Sequence, residues 1–520
     1  MSPLLLLLLA CAPRDGATSK GAIKPPPAGK AASGTFVLAH TNDVHSHFRP
    51  YRSEWREDEA PLGGMVAIDA RVRGLERQFG EEAVLFLDGG DVLTGTPLME
   101  LEVEGVRGGA MAVLFEAIGM DAWVLGNHEL DRGYEHAQAF IGLSRSPVLS
   151  ANVRAPCGEE ALSCAPGFEG VSPWTIFEVN GIRVGVFGLT TASLPHLADE
   201  ATMARLRVVE HAAAARHAVA ALEPQVDLVV ALTHIGLDSD RELARAVPGI
   251  DLIVGGHSHT RMDRAEQVGD SWIVQAGSYG RLLGVAEIEV RDGAVASLDW
   301  ALEELDPVAL AMPASKEVQG LVDRYHGELQ ERFSVPAGEA ERTLARSPGP
   351  QSPLGMWAAE SLRQAAGTDI GLTNSGGLRA DIVQGPQTVG SLYEVFPFSN
   401  AVVVFEVEGS VLLDLMLRMA GGMIEGNRAV PQVAGMAFDY RLRLGAPEIV
   451  SATVAGAPLD LSRRYRIATN SFVAGQWKRN LGFRPEGVQA LELTELDASL
   501  DRARREGIRA PAPSPIRRVD

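Results

Sequence analysis

Residues 36–48 read FVLAHTNDVHSHF, and the fold can be worked out from this stretch outward. Its first half is a short apolar run of the kind that forms a buried strand. Its second half turns abruptly polar, with Asp43 and His45 two residues apart. The same switch recurs along the chain. AVLFLD (83–88) runs into Gly90-Asp91, AWVLG (122–126) into Asn127-His128-Glu129, DLVVALT (227–233) into His234, and DLIVGG (251–256) into His257-Ser258-His259. Strand C-termini on one edge of an α/β sheet are where sites form. A single histidine in such a place is more often a satisfied core residue than a ligand. Core packing alone does not end five strands in groups of the metal-ligating type.

Between these runs lie amphipathic helical stretches at 65–78 and 208–222. Val179-Asn180-Gly181-Ile182 carries the Asn-Gly signal of a tight hairpin turn. The pattern predicts an α/β or α+β domain over 34–305. A Pro-flanked amphipathic helix at 315–333 lies in the linking segment 306–335. A second, smaller α/β unit follows over 336–520, with helices at 354–366 and 411–420 and strands at DIGLTN (369–374) and AVVVFEVEG (401–409). There is no internal repeat. The Arg- and Pro-rich stretch after residue 502 predicts a loose tail.

With 520 residues, two domains are the natural expectation. Lys and Arg total 47 and Asp and Glu total 67, a net charge of −20. A surface this acidic repels DNA and RNA, and no stripe of basic and aromatic residues offsets it. A nucleic-acid polymer is therefore excluded as partner. A small phosphorylated substrate would need local positive charge, which metal ions can supply.

The N-terminus, MSPLLLLLLACAP, is too short to span a bilayer, which takes about 20 apolar residues. It reads as the apolar region of a signal peptide over 1–11. Leu8-Leu9-Ala10-Cys11 resembles a bacterial lipoprotein cleavage box, and 12–33 is a Gly-, Ala-, Lys- and Pro-rich tether. No Lys or Arg precedes the apolar run, so the alternatives are soluble export, a misplaced start codon or a degenerate leader. The expectation is an exported monomer, periplasmic or on the outer cell surface, anchored through Cys11. In an exported protein Cys157 and Cys164, close together in APCGEEALSCAPG, predict a disulfide clip.

Seven of the strand-end groups suit two cations: Asp43, His45, Asp91, Asn127, His234, His257 and His259. A bridging carboxylate holds two such ions about 3.5–4 Å apart. Only two of the seven are anionic, so two divalent ions leave a positive surplus that attracts phosphate and lowers the pKa of water. Nitrogen-rich ligation points to Zn, Mn, Fe or Co.

The strings HTNDVHSHF, GGDVLTGTP, GNHELDRG and GGHSHT, with an isolated Thr233-His234, resemble the metallophosphoesterase superfamily, and within it the 5′-nucleotidase branch that includes UDP-sugar hydrolases and cyclic-nucleotide phosphodiesterases. The resemblance covers most of residues 34–480. It implies a four-layer β-sandwich flanked by helices, plus a C-terminal substrate domain. It implies that Asp43, His45, Asp91 and His259 hold one ion, and Asp91, Asn127, His234 and His257 the other. His128 would be the catalytic histidine, oriented by Asp131; otherwise Asp131 is a helix N-terminal carboxylate. His47 is expected beside the ligands rather than among them. His196, His211 and His217 carry no functional expectation.

In the second domain Asn374-Ser375-Gly376-Gly377-Leu378-Arg379 follows a strand. Its glycines can expose backbone N–H groups to an anion, and Arg379 can grip phosphate bidentately. It resembles the family's N-x-G-G-x-R motif, which implies phosphate contacts from Asn374, Gly377 and Arg379. By the same resemblance Phe398 in VFPFSN and Phe472 in TNSF sandwich a nucleobase; the alternative for each is core packing. Two departures stand out. The family's ribose-binding Asp has no counterpart in Phe472-Val473-Ala474-Gly475-Gln476-Trp477-Lys478. The family's Arg before the first helix of this domain is matched only by Arg346. The expectation is phosphate release from nucleotides. The rivals are relatives with another leaving group (a sugar nucleotide, a cyclic nucleotide, a thiosulfonate conjugate) and a ligand-binding lipoprotein without catalysis.

Overall fold

A computed structural model describes residues 32–520 apart from 54, 59, 159, 308–312, 347–350, 427–429 and 513. Cys11 and the leader lie outside the described residues.

Two sheets face each other in the first half. In the seven-stranded one, Gly34–Thr41 pairs in parallel with Val84–Asp88 and antiparallel with Leu282–Arg291. The six-stranded one is built on Ile182–Thr190, Leu228–His234 and Leu252–Val254, all parallel. Alternate residues of one strand point to opposite faces. Phe36, Leu38, Leu85 and Leu87 therefore meet Val184, Val186, Val230 and Leu232 in one dry layer between the sheets. The other face of the first sheet is covered by helices Met65–Phe79, Ala110–Ala117 and Lys316–Phe333. The other face of the second is covered by His211–Leu222 and Leu237–Ala246. The result is helix–sheet–sheet–helix, four layers, as the family resemblance implies. The hairpin turn falls at Asn180-Gly181, with φ of 49° and 78°, the two positive values a type I′ turn needs. The helix expected from residue 208 begins at His211, because Arg207–Val208 pairs as a short strand and Glu210 caps the helix through the N–H groups of Ala212 and Ala213.

The second half is a five-stranded sheet in the order Gln432–Ala434, Ile370–Thr373, Arg464–Asn470, Ala401–Glu408, Gln489–Thr494. Helix Pro353–Ala366 packs on it. Its ends are written in the sequence: Ser352 caps the Gly355 N–H, Pro353 takes the first turn, and Gly367 closes it at φ 59°. The C-terminal stretch is not a loose tail. Glu495–Glu506 is a helix, and Ile516–Arg518 adds a parallel strand to Met436–Arg443. Cys157 and Cys164 are joined as a disulfide, their Cα atoms 5.8 Å apart.

The two halves touch through side chains. Tyr393 donates to Glu100 at 2.9 Å, Arg132 pairs with the same carboxylate, and Tyr393 meets Phe333 edge-on. Among the described residues no helix is long and apolar enough to cross a membrane.

Candidate active site

Each predicted ligand sits in the loop that follows a buried strand, or at the strand's last residue, all on one edge of the sandwich. The loops are stitched together by backbone bonds. Asp43 N–H donates to the Gly90 carbonyl at 2.9 Å, and His45 N–H to that of Asp91 at 2.9 Å. The buried Glu129 carboxylate accepts from the N–H groups of Val92, Leu93 and Gly126 at 2.8, 3.1 and 2.8 Å. Burial, with Asp91 nearby, pushes Glu129 up to about 7. Asp43, His45, Asp91, His257 and His259 all have φ between 49° and 74°. Left-handed backbone costs a non-glycine residue about 1–3 kcal/mol and persists where surrounding structure holds it, typically at functional sites. Glycine is obligatory at 126, where a Cβ would lie 2.3 Å from Asp91 Oδ1.

The side chains converge. Asp91 Oδ2 is 3.0 Å from His234 Nε2, 3.8 Å from His128 Nε2 and 3.9 Å from His45 Nε2. Asp43 Oδ1 is 3.3 Å from His259 Nε2. His45 Nδ1 is fixed by the carbonyl of Thr94 at 2.8 Å, and His234 Nδ1 by that of Gly89 at 2.7 Å. Both rings therefore present Nε2 inward. There ring nitrogens face each other, His45 to His259 at 3.0 Å and His234 to His257 at 3.2 Å. Among the described residues Asn127 Oδ1 is buried with no hydrogen-bond partner, a state that costs about 1–3 kcal/mol. Facing imidazoles, buried carboxylates and an orphaned amide oxygen together make a donor set that a cation satisfies and that bare protein satisfies poorly. Two groups suit an ion, Asp43–His45–His259 and Asp91–His234–His257; a third, His45–Asp91–His128, overlaps both.

The charges follow from this crowding. Burial alone would lower the His234 pKa, but the Asp91 and Asp43 carboxylates outweigh it and push His234 up to about 10. Burial and the charge on His234 pull His257 down to about 4. Burial opposes ionisation of Asp91, yet His234 and His128 hold it well below the usual carboxylate range.

His128 stands at the rim. Its Nδ1 lies 2.7 Å from Asp131 Oδ2, and the same oxygen accepts from Thr94 Oγ1 at 2.7 Å. Burial lowers the His128 pKa, but Asp131 and Asp91 more than reverse this, and the net shift is upward. From the second domain Arg379 Nη2 comes to 3.4 Å from His45 Nε2, and the Phe398 ring lies 5.7 Å from the His128 ring.

Residues 36–261 match the calcineurin-like phosphoesterase family, and residues 331–480 match the 5′-nucleotidase C-terminal domain. Together they span well over half of the chain. The chain belongs to the calcineurin-like phosphoesterases, in their 5′-nucleotidase branch. It is 28% identical to protein UshA of Salmonella pullorum, over 84% of this chain and 85% of that one. It is also 28% identical to the trifunctional nucleotide phosphoesterase protein YfkN of Bacillus subtilis, over 84% of this chain but only 32% of that longer protein. The crystal structure of a 5′-nucleotidase precursor from Thermus thermophilus superposes with a TM-score of 0.79 at 27% identity, covering 94% of this chain and 100% of that one.

Calcineurin-like phosphoesterases are metal-dependent phosphoester hydrolases with a dinuclear centre, and the donor set of this one fits two divalent ions. Several residues of the phosphoesterase site went unassigned in the sequence. Thr94 lies inside GGDVLTGTP, but its bond to Asp131 spans 37 residues. Tyr279 rests edge-on against His45 and His259 and stacks on His47 at 4.3 Å. Glu394 lines the narrow cleft between the halves, together with His45, Tyr51 and Arg379. His47 is buried and its Nδ1 bonds the Val44 carbonyl at 3.1 Å. Among the remaining predicted residues, Asn374 Oδ1 accepts from Asn470 at 3.1 Å and Gly377 is buried in a 3₁₀ turn, Ser375–Gly377. Phe472 is half-buried in the short helix Ser471–Gly475. Arg346 is engaged with backbone and carboxylate: it donates to the Arg379 carbonyl and pairs with Asp381 at 3.8 Å.

Proposed function

We propose that this phosphoesterase releases phosphate from nucleoside monophosphates, with the residues acting as follows. Asp43, His45, Asp91 and His259 hold one divalent cation; Asp91, Asn127, His234 and His257 hold the other. When bound, the two cations concentrate positive charge on the phosphoryl oxygens and bring water toward the ionisation range of neutral pH. Arg379 grips the phosphate from the second domain. His128 holds a proton at Nε2, kept there by Asp131 on the opposite nitrogen, and hydrogen-bonds the developing phosphoryl charge while a water oxygen bonds to phosphorus, the P–O ester bond breaks and the leaving oxygen takes a proton that the water gives up. Phe398 and Phe472 take the base, as stacking surfaces that tolerate any π-face.

The observation that carries this reading is the approach of Arg379 to His45. It brings a guanidinium, a group suited to phosphate, from one domain to the ligand set of the other, within reach of a phosphate bound beside those ligands. No carboxylate stands at the family's ribose position; Gln476, which donates its amide to the Ala198 carbonyl at 2.9 Å, keeps an amide oxygen but brings no charge there. Recognition of the sugar is accordingly weak. For location, we propose export and a lipid anchor at Cys11, supported by the leader sequence alone.

A panel of nucleoside monophosphates and 4-nitrophenyl phosphate, assayed with Mn²⁺, Co²⁺ or Zn²⁺ and again with chelator, tests the function. Metal-dependent phosphate release from nucleotides is expected. Turnover of the aryl ester alone would remove the nucleotide from this reading. No turnover of any ester in any metal would remove catalysis.

A further inference from the structure

Glu495 is a residue to which no motif points. It is the first residue of helix Glu495–Glu506, 3% exposed, and it lies beyond the residues that match the C-terminal domain family. Yet it bonds all three segments that carry the predicted substrate contacts. Its Oε1 accepts from Thr373 Oγ1 at 2.5 Å, at the end of the strand that opens into Asn374–Arg379. Its Oε2 accepts from Asn470 Nδ2 at 2.8 Å, and Asn470 in turn caps the Phe472 helix through the Val473 N–H at 2.9 Å. Its own N–H donates to the Asn400 carbonyl at 3.0 Å, two residues past Phe398. Asn470 Nδ2 also reaches Asn374 Oδ1 at 3.1 Å, so the carboxylate and two amides form one connected set.

We propose that Glu495 is the positioning residue of the substrate pocket, setting the Arg379, Phe398 and Phe472 segments in one relative geometry. The inference rests on the assignment of those three segments to substrate. A buried carboxylate accepts on both oxygens and cannot donate when ionised. Its two acceptors here go to two different segments, while its backbone holds the third. The helix itself is anchored independently: Thr494 and Asp497 form a capping box, and Arg502 Nη1 donates to the Trp357 carbonyl at 2.8 Å. A substitution at 495 thus loosens the pocket segments while the helix keeps its dock.

The experiment compares Glu495→Ala, Glu495→Gln and Arg502→Ala, the last loosening the same helix without touching the pocket segments. Each is assayed with AMP and with 4-nitrophenyl phosphate beside its apparent Tm. Glu495→Ala is expected to raise KM at least tenfold on AMP with kcat changed less than threefold. Glu495→Gln, which keeps one acceptor and adds a donor that the Thr373 hydroxyl can accept, is expected to recover most of that loss. Arg502→Ala is expected to lower Tm with KM unchanged. An equal rise in KM in Arg502→Ala and Glu495→Ala would mean that helix docking is all that matters, and overturns the proposal. So does an unchanged KM in Glu495→Ala. If the wild type cleaves the aryl ester but not AMP, the nucleotide reading has failed. Glu495 is then judged by the same criteria on the aryl ester, whose phosphate still meets Arg379.

Discussion

His128 and Asp131, three residues apart, meet side chain to side chain at 2.7 Å, and Thr94 closes on the same carboxylate oxygen. The carboxylate has no freedom to turn away, so the imidazole is held with Nδ1 engaged and Nε2 directed at the site. Asp131→Asn keeps the shape but removes the charge that raises the His128 pKa. The expected result is a kcat loss of about 10²–10⁴-fold, the range of a lost acid–base group, with bound metal unchanged by elemental analysis. An effect confined to KM would make Asp131 a structural cap.

Asp91 faces three imidazoles and accepts the His128 N–H. Asp91→Ala removes the carboxylate proposed to serve both ions. Turnover should vanish and bound metal should fall. A variant that keeps both ions and near-normal activity is incompatible with a bridging role.

Arg379 is the predicted phosphate grip. A hydrogen bond to a charged group contributes about 1.5–3 kcal/mol, so Arg379→Ala should raise KM or lower kcat/KM by roughly 10- to 150-fold. The loss should be the same for AMP and for the aryl ester, since both carry the same phosphate. A loss on AMP alone would place the guanidinium on the nucleoside instead.

Phe472 should behave oppositely. Stacking contributes about 1–3 kcal/mol per base, so Phe472→Ala should raise KM for AMP by roughly 5- to 150-fold and leave the aryl ester nearly untouched. With no carboxylate at the ribose position, AMP and dAMP should be cleaved with similar kcat/KM; a strong preference for AMP would assign the ribose contact to another group such as Gln476. Equal losses on both esters would show that the ring supports the fold.

Burial pushes the half-buried Glu394 up to about 7 from an ordinary 4.5. Its folded pKa lies above its unfolded one, so the unfolded chain gives up this proton first. The stability it contributes is complete below about pH 4.5, declines as pH rises through 7, and is flat above. Glu394→Gln should therefore raise the apparent Tm at pH 8 and leave it unchanged at pH 4.5, in scans at one fixed rate. A gain of equal size at both pH values would mean the carboxylate is already ionised in the folded state.

What the sequence made legible follows from how each signal is encoded. The strand ends at Thr41, Asp88, Val124, His234 and Val254 are local patterns, an apolar run and then a ligand, and the structure places those ligands on one edge. The α/β class follows from the same runs; the four-layer arrangement comes from the family resemblance, because the runs alone do not say how the sheets stack. The Ile516–Arg518 strand could not be read, because three residues with only Ile516 buried carry no periodicity and their pairing partner lies about 80 positions upstream. Glu495 could not be read either. Its bond to Thr373 spans 122 residues, and a glutamate opening a helix looks like any favourable first-turn acid. Arg346 shows the converse: a residue type suited to phosphate that the fold commits to the backbone carbonyl of Arg379.

The 3.4 Å approach of Arg379 to His45 divides labour between two separately folded halves. The first half carries the machinery that is indifferent to what the phosphate is attached to. In the proposed function the second carries the residues that inspect the attachment. Mutations in the second half can exchange one leaving group for another while the ion-binding loops, with their strained backbones and stitched carbonyls, go unedited. A lineage built this way can diversify its diet without ever passing through an ancestor that had lost its chemistry.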